Sequence, residues 1–364
     1  MMRAITRECT GAYGTMTMPF LTAELPGIGG QMRTIPEDFQ VEEQPLYHPC
    51  GEGEHLYVKI RKRLLSTPDL ILRLSSLLGL KAQAIGVAGL KDARAVTTQM
   101  VSLLGVTPDR LERLKADEQL LSVEVLGRHR NRLRPGHHAG NHFRLVIRDV
   151  ATHARETVSL ATDMLVRRGV PNYFGPQRQG RSGQNYQVGA ELLVDPARRN
   201  RLSRSKRMWY LNAYQSHFFN DILARRLDRL DCILVGDWAM KMENGACFPV
   251  EDATKEQPRA DRFEISPTGI LFGSRVSWAS GEPGEIERAV VAESGATPES
   301  LTEAAKVCGF RGERRSLRVP LTGLEWDVDG TVLTLSFSLP SGAYATSVLR
   351  ELMKTDFKAA ENVR

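Results

Sequence analysis

A short polar bend set between two apolar runs, Gly89-Leu90-Lys91-Asp92-Ala93-Arg94-Ala95, limits the possible folds of this chain more than any other stretch. Ile85, Val87 and Ala88 lead in as a short buried strand, Gly89 breaks it, and Val96 to Leu104 resumes with β-branched and apolar residues suited to a second strand. One carboxylate, Asp92, is thereby held on a loop braced by sheet. An aspartate so placed can simply start a turn or cap a neighbouring element, so the rest of the pattern has to decide its role.

The flanks predict a mixed fold. His55 to Arg61 puts Leu56, Val58 and Ile60 on one face, as a strand does. Ser66-Thr67-Pro68-Asp69 reads as a helix start, with a hydroxyl cap, proline in the first turn and an acid near the positive end of the dipole; Leu70, Leu72, Leu74, Leu77 and Leu78 form its apolar side before Gly79 stops it. A short helix is expected over Pro108 to Ala116, a strand over Leu120 to Leu126, and a strand on which Asn141, Phe143, Leu145 and Ile147 share a face. Thr152 to Arg168 reads as a helix closed by Gly169, and Pro171 to Asn185 as a loop at a domain boundary. Met208 to Leu230 has helical spacing, and Cys232 to Pro320 is a mixed region without a chemical motif. Near the end, Leu333, Leu335, Phe337 and Leu339 alternate as a strand, Pro340-Ser341-Gly342 breaks it, and Tyr344 to Lys354 has helix composition.

With 364 residues, two domains are expected. No apolar stretch is long enough to cross a bilayer and Met1 to Phe20 lacks the run of a secretory signal, so a cytoplasmic protein with no membrane partner is expected. The cysteines Cys9, Cys50, Cys232, Cys247 and Cys308 are scattered and odd in number, which predicts free thiols and no structural metal. A formal charge of +6 suits a polyanionic partner. Arg128, Arg130, Arg132 and Arg134 would project from one face of an extended segment as a row able to track phosphates, and Arg198, Arg199, Arg201, Arg204, Lys206 and Arg207 form a second cluster. A solvated surface would carry the same residues; two clusters beside base-stacking candidates favour RNA.

The bend, extended to Gly89-x-Lys91-Asp92-x-x-Ala95-x-Thr97-x-Gln99, resembles the motif of the catalytic aspartate in the TruD family of tRNA pseudouridine synthases. Further blocks resemble the family in its order: Pro36-Glu37-Asp38-Phe39-x-Val41-x-Glu43, Gly51-x-Gly53-Glu54-His55, Gly140-Asn141-His142-Phe143, Pro171-Asn172-Tyr173-Phe174-Gly175 and Leu339-Pro340-Ser341-Gly342-Ala343-Tyr344, continuing through Arg350-Glu351. The region from about Leu192 to Pro320 carries fewer matches.

The resemblance implies an α+β fold: a pseudouridine synthase catalytic core with a mixed sheet and flanking helices, plus an inserted α/β TRUD domain. The implied division is a loose extension over 1–20, core over 21–168, inserted domain over 169–321 and core again over 322–364. It also implies a tRNA substrate, uridine 13 of the D-arm as target, no cofactor, no metal and no obligate protein partner. Asp92 would be the essential carboxylate, a nucleophile or a base. Arg350 resembles its basic partner; Arg33 and Lys91 stand behind it, since long basic chains beside a loop are usually solvated. By resemblance Phe39, Asn141 and Tyr344 contact the uridine, Phe39 forming the pocket, Asn141 reading the uracil edge and Tyr344 stacking; Phe143 is a fourth candidate whose spacing equally suits a core ring. The rival is a non-catalytic RNA-binding protein or RNA chaperone. A zinc nucleobase deaminase would need a His-x-Glu with Pro-Cys-x-x-Cys, which the sequence lacks.

Overall fold

Alternating apolar and polar residues build the centre of this computed structural model, which describes residues 18–180 and 182–355. In chain order the strands are β1 (Gly29–Met32), β2 (Phe39–Pro45), β3 (His55–Arg63), β4 (Ile85–Val87), β5 (Val96–Leu104), β6 (Leu120–His129) and β7 (His138–Val150). There follow β8 (Val170–Pro171), β9 (Trp238–Lys241), β10 (Cys247–Pro249), β11 (Ile265–Leu271), β12 (Glu313–Ser316) and β13 (Arg318–Val319), then β14 (Thr322–Asp329) and β15 (Val332–Pro340). The chain divides into two compact units, one holding residues 27–159 and 321–345, the other 18–26, 160–320 and 346–355 among those described.

The first unit is a nine-stranded sheet in the order β14-β15-β7-β2-β5-β3-β6, with β1 added to β7 and β4 to β5. The β2–β5 pair is parallel and the other ladders are antiparallel, so the sheet is mixed and the fold α+β. One face carries Leu56, Val58, Ile60, Val101 and Leu103 against the Thr67–Leu78 helix, whose Leu70, Leu74 and Leu78 are fully buried, while Leu72, expected on the same side, is turned outward and exposed. That helix begins as its sequence dictates: Ser66 accepts from the Asp69 N–H (3.2 Å), and Gly79 ends it in the left-handed region at φ +61°. Further along the sheet, β2, β7 and β15 bring together Phe39, Val41, Phe143, Leu145, Phe337 and Leu335, all buried. Pro108–Ala116, expected as a short helix, is a 3-10 helix.

The second unit centres on the Arg204–Arg226 helix, whose Phe218, Phe219, Ile222 and Leu223 are buried and which packs on β11 of the four-stranded sheet β10-β9-β11-β12. The block from Pro171 to Gly175 pins its loop to this helix: Phe174 N–H donates to Asn220 Oδ1 and Asn220 Nδ2 donates back to Phe174 O, both at 2.9 Å. The Ala345–Met353 helix falls with this unit from Thr346 onward, because it is fastened to residues 18–22. Glu351 accepts from the N–H groups of Leu21 (3.1 Å) and Thr22 (2.9 Å), and the Thr22 hydroxyl donates to it at 2.7 Å. Of the extension expected over 1–20, residues 1–17 lie outside the described residues, as does Cys9; Cys50, Cys232, Cys247 and Cys308 are free thiols.

The first basic row departs from expectation, and one member of the second is drawn inside. β6 ends at His129, so only Arg128 is in the strand, and the loop that follows breaks the alternation. Arg128 turns to the Gly53 and Val106 carbonyls, Arg130 pairs with Glu52, and Arg132 donates to the Ile85 carbonyl (2.5 Å). In the second cluster Arg198 pairs with Glu191, and Arg199 is buried, donating to the Leu192 carbonyl. Backbone carbonyls left bare at strand and helix ends compete for these guanidinium groups, which sequence spacing cannot register.

Candidate active site

The bend between β4 and β5 is held by its buried neighbours while its acid faces outward. Lys91 is buried because β2 supplies a counter-charge: its ammonium lies 2.8 Å from Glu43 Oε2, with side chains only 4% and 1% exposed. A buried ion pair survives only when its remaining polar groups are met. Glu43 Oε1 accepts from the Met100 N–H at 3.2 Å, while the Lys91 N–H donates to Thr67 Oγ1 (2.8 Å), whose hydroxyl donates to Gln99 Oε1 (2.9 Å). Two residues of the bend's own motif, Lys91 and Gln99, thus tie it to β2, to β5 and to the first turn of the Thr67–Leu78 helix.

Against that scaffold the Asp92 side chain is 43% exposed, and its Oδ2 accepts from Arg33 Nη2 at 2.9 Å. Arg33 follows β1 with φ +59°, a left-handed backbone rare for a residue with a side chain. Its own side chain is 8% exposed, because the guanidinium lies over the Phe39 ring, 4.0 Å from the centroid. Phe39 meets Phe143 edge-on at 6.4 Å, and Phe143 lies 5.5 Å from Phe337. Phe39 and Phe143 are therefore buried, at 3% and 6%, as an aromatic stack under the cation.

Asn141 stands directly across the ladder from Glu43 on one side and Leu339 on the other, so it projects from the same face of the sheet as Glu43. Its Oδ1 is buried and has no hydrogen-bond partner among the described residues. Tyr344 lies half-buried in the turn between β15 and the final helix, five residues beyond Leu339, as the sequence predicts. Fully buried Lys62, paired in register with Thr97, donates to the Leu65 carbonyl. Burial and the nearby Lys91 charge bring its ammonium down to about 8, against the opposing pull of Asp92 and Asp69.

The structure thus joins Asp92, Phe39 and Phe143 through a residue that the sequence ranked behind Arg350, Arg33. Arg350 belongs to the other unit, where its guanidinium lies 3.8 Å over the Phe20 ring and donates to the Pro19 (3.2 Å) and Met18 carbonyls. One signal could have flagged Lys91 as buried: Glu43 occupies an inward position after Phe39 and Val41, and an acid on an apolar face needs a cation. Nothing comparable marked Arg33, whose orientation follows from its backbone. Among the described residues no group of three or more histidine, cysteine or acidic side chains is arranged to hold a metal, and no helix is long and apolar enough to cross a membrane.

Comparison with known proteins agrees along nearly the whole chain. The sequence model for TruD, tRNA pseudouridine synthase D, matches residues 15–200 and 197–352. A tRNA pseudouridine synthase D of Syntrophotalea carbinolica is 40% identical, covering 93% of this chain and 99% of the relative. One from Thermus thermophilus is 43% identical over 93% and 92% of the two chains. A crystal structure described as a tRNA pseudouridine synthase D (TruD) from Methanosarcina mazei superposes with a TM-score of 0.77 at 27% identity, covering 93% of this chain and 96% of that one.

Proposed function

This chain belongs to the TruD family of tRNA pseudouridine synthases, and from that membership we propose that it isomerises a uridine of tRNA, uridine 13 of the D-arm, to pseudouridine. The reaction breaks the bond from uracil N1 to ribose C1′, turns the base, and joins C5 to C1′. The proton on C5 leaves and N1 gains one, so no oxidant, reductant or further reagent is consumed.

The observation that carries this reading is the Arg33–Asp92 pair: an accessible carboxylate oriented by a nearly buried guanidinium, on a loop anchored by the buried Lys91–Glu43 pair and the Lys91 N–H on Thr67. At neutral pH an ionised carboxylate can attack an electron-poor carbon or take a sugar proton. The target leaves its stack at a cost of a few kcal/mol, which stacking of roughly 1 to 3 kcal/mol per base can offset together with hydrogen bonds. Tyr344 is the ring in this reading, and the unpartnered Asn141 Oδ1 is the acceptor for a uracil N3–H. Phe39 and Phe143 form the pocket floor by carrying Arg33. Arg350 keeps Met18 to Phe20 on the final helix, whose first residue follows Tyr344. Residues 169–321 are read as the inserted TRUD domain, and the site of action as the cytoplasm, with tRNA as the macromolecular partner.

The test is release of tritium from tRNA labelled at uracil C5. Wild type should release it and Asp92→Ala should not, with tRNA binding retained. Release by Asp92→Ala would refute the carboxylate's role, and binding by both proteins with release by neither would favour the RNA chaperone. Mapping the modified position in tRNA from cells with and without the protein tests uridine 13.

A further inference from the structure

We propose that His138 is a positioning residue for this reaction, mechanically joining the loop that carries Asp92 to the turn that carries Tyr344. This rests on the roles given above to those two residues.

His138 opens β7, with its ring on Ser341 and the segment leading into it on the catalytic bend. On one side its Nε2 lies 3.0 Å from the Ser341 hydroxyl, and the Ser341 N–H donates to Ala139 O at 3.0 Å. Ser341 heads the turn closed by the Ala343 N–H on Pro340 O (3.2 Å), immediately before Tyr344. On the other side the Gly136 N–H donates to Ala88 O (2.8 Å), tying the approach to β7 to the residue that enters the catalytic bend.

Gly89 is the crossing point. A Cβ added there would lie 3.0 Å from Lys91 Nζ, 3.1 Å from Glu43 Oε2 and 3.3 Å from His138 Cε1, so the imidazole edge, the ammonium and the carboxylate all close on the same point of the bend. The charged groups facing the ring are thus Lys91 from the bend and Glu43 from β2, with the uncharged Ser341 hydroxyl opposite. Burial and the Lys91 ammonium bring its pKa below the usual histidine value, outweighing Glu43 and the Ala88 carbonyl. A neutral ring can sit beside an ammonium where a second cation could not.

Since His138 bridges two supports and is assigned no contact with RNA, its loss displaces the acid relative to the stacking ring. Misplacement of about 1 Å can cost on the order of 100-fold in rate. The test measures kcat, KM and melting temperature for wild type, His138→Ala, His138→Gln, Ser341→Ala and the His138→Ala/Ser341→Ala double variant. His138→Ala should lower kcat ~10-fold with KM held within about twofold, a fraction of that limit. Glutamine, whose amide can reach Ser341, should recover most of the loss, and the double variant should be no slower than the slower single one. Unchanged kcat in His138→Ala, multiplying losses in the double variant, or a kcat loss that glutamine leaves untouched would overturn the coupling. Asp92→Ala, run in parallel, separates the two readings: activity in that variant defeats the catalytic assignment, whereas an inactive Asp92→Ala beside a fully active His138→Ala defeats only the coupling.

Discussion

Arg33 holds a backbone conformation that costs on the order of 1 kcal/mol, and the return is a guanidinium fixed between an aromatic ring and a carboxylate. A planar, stacked cation is poorly replaced by a compact ammonium. Arg33→Lys should therefore lower kcat with tRNA by ~10-fold and Arg33→Ala by ~100-fold, with smaller changes in KM; single-turnover kinetics would show it, and wild-type turnover in Arg33→Ala would remove the pair from the mechanism. Lys62 gives a pH prediction of definite sign. Its folded pKa, about 8, lies below the ordinary 10.5, so between those values the unfolded chain binds the proton and the folded one does not. Stability then falls as pH drops through that window and remains reduced below it. Lys62→Met should gain up to ~3 kcal/mol at pH 7 and nothing above about pH 10.5, read by denaturant melts at both values. These two basic residues lie in the same unit; their surroundings separate a cation that orients the acid from one that burial penalises.

Among the elements, the Thr67–Leu78 helix and the β5 strand were legible because their signals are local: a hydroxyl cap, a proline in the first turn, a terminal glycine, and apolar runs of the right length. Fully buried Leu74 joins them, and Leu74→Ala should cost about 2 to 5 kcal/mol of unfolding free energy, measured by denaturant titration. Gly140 shows a different constraint inside a strand. A Cβ there would collide with the Leu339 carbonyl oxygen across the β7–β15 ladder, so Gly140→Ala should cost about 1 to 3 kcal/mol by forcing the strands apart and should shift the neighbouring Asn141. Unaltered stability in that variant would mean that the ladder yields freely. The arginine row failed because it assumed one unbroken strand, whereas β6 stops at His129 and the Arg128, Arg130 and Arg132 guanidinium groups go to carbonyls and Glu52.

Across the molecule, the relevant quantity is the excess of basic over acidic residues, +6 at neutral pH. Should tRNA binding neutralise about four phosphates, affinity would fall ~100-fold between roughly 50 and 200 mM salt. A filter-binding series at several salt concentrations measures the slope, and a flat response would exclude phosphate contacts as the main source of affinity. The order of residues alone was enough to identify the family, the strands and helices around the bend, and Asp92 as the candidate acid, since each rests on residues close together in the chain. It took the folded chain to reveal that Arg33 meets Asp92 across 59 positions and that His138 meets Ser341 across 203. Ladder order and register bring such distant residues together through pairings specified jointly by many side chains, so no local spacing records which partners will meet.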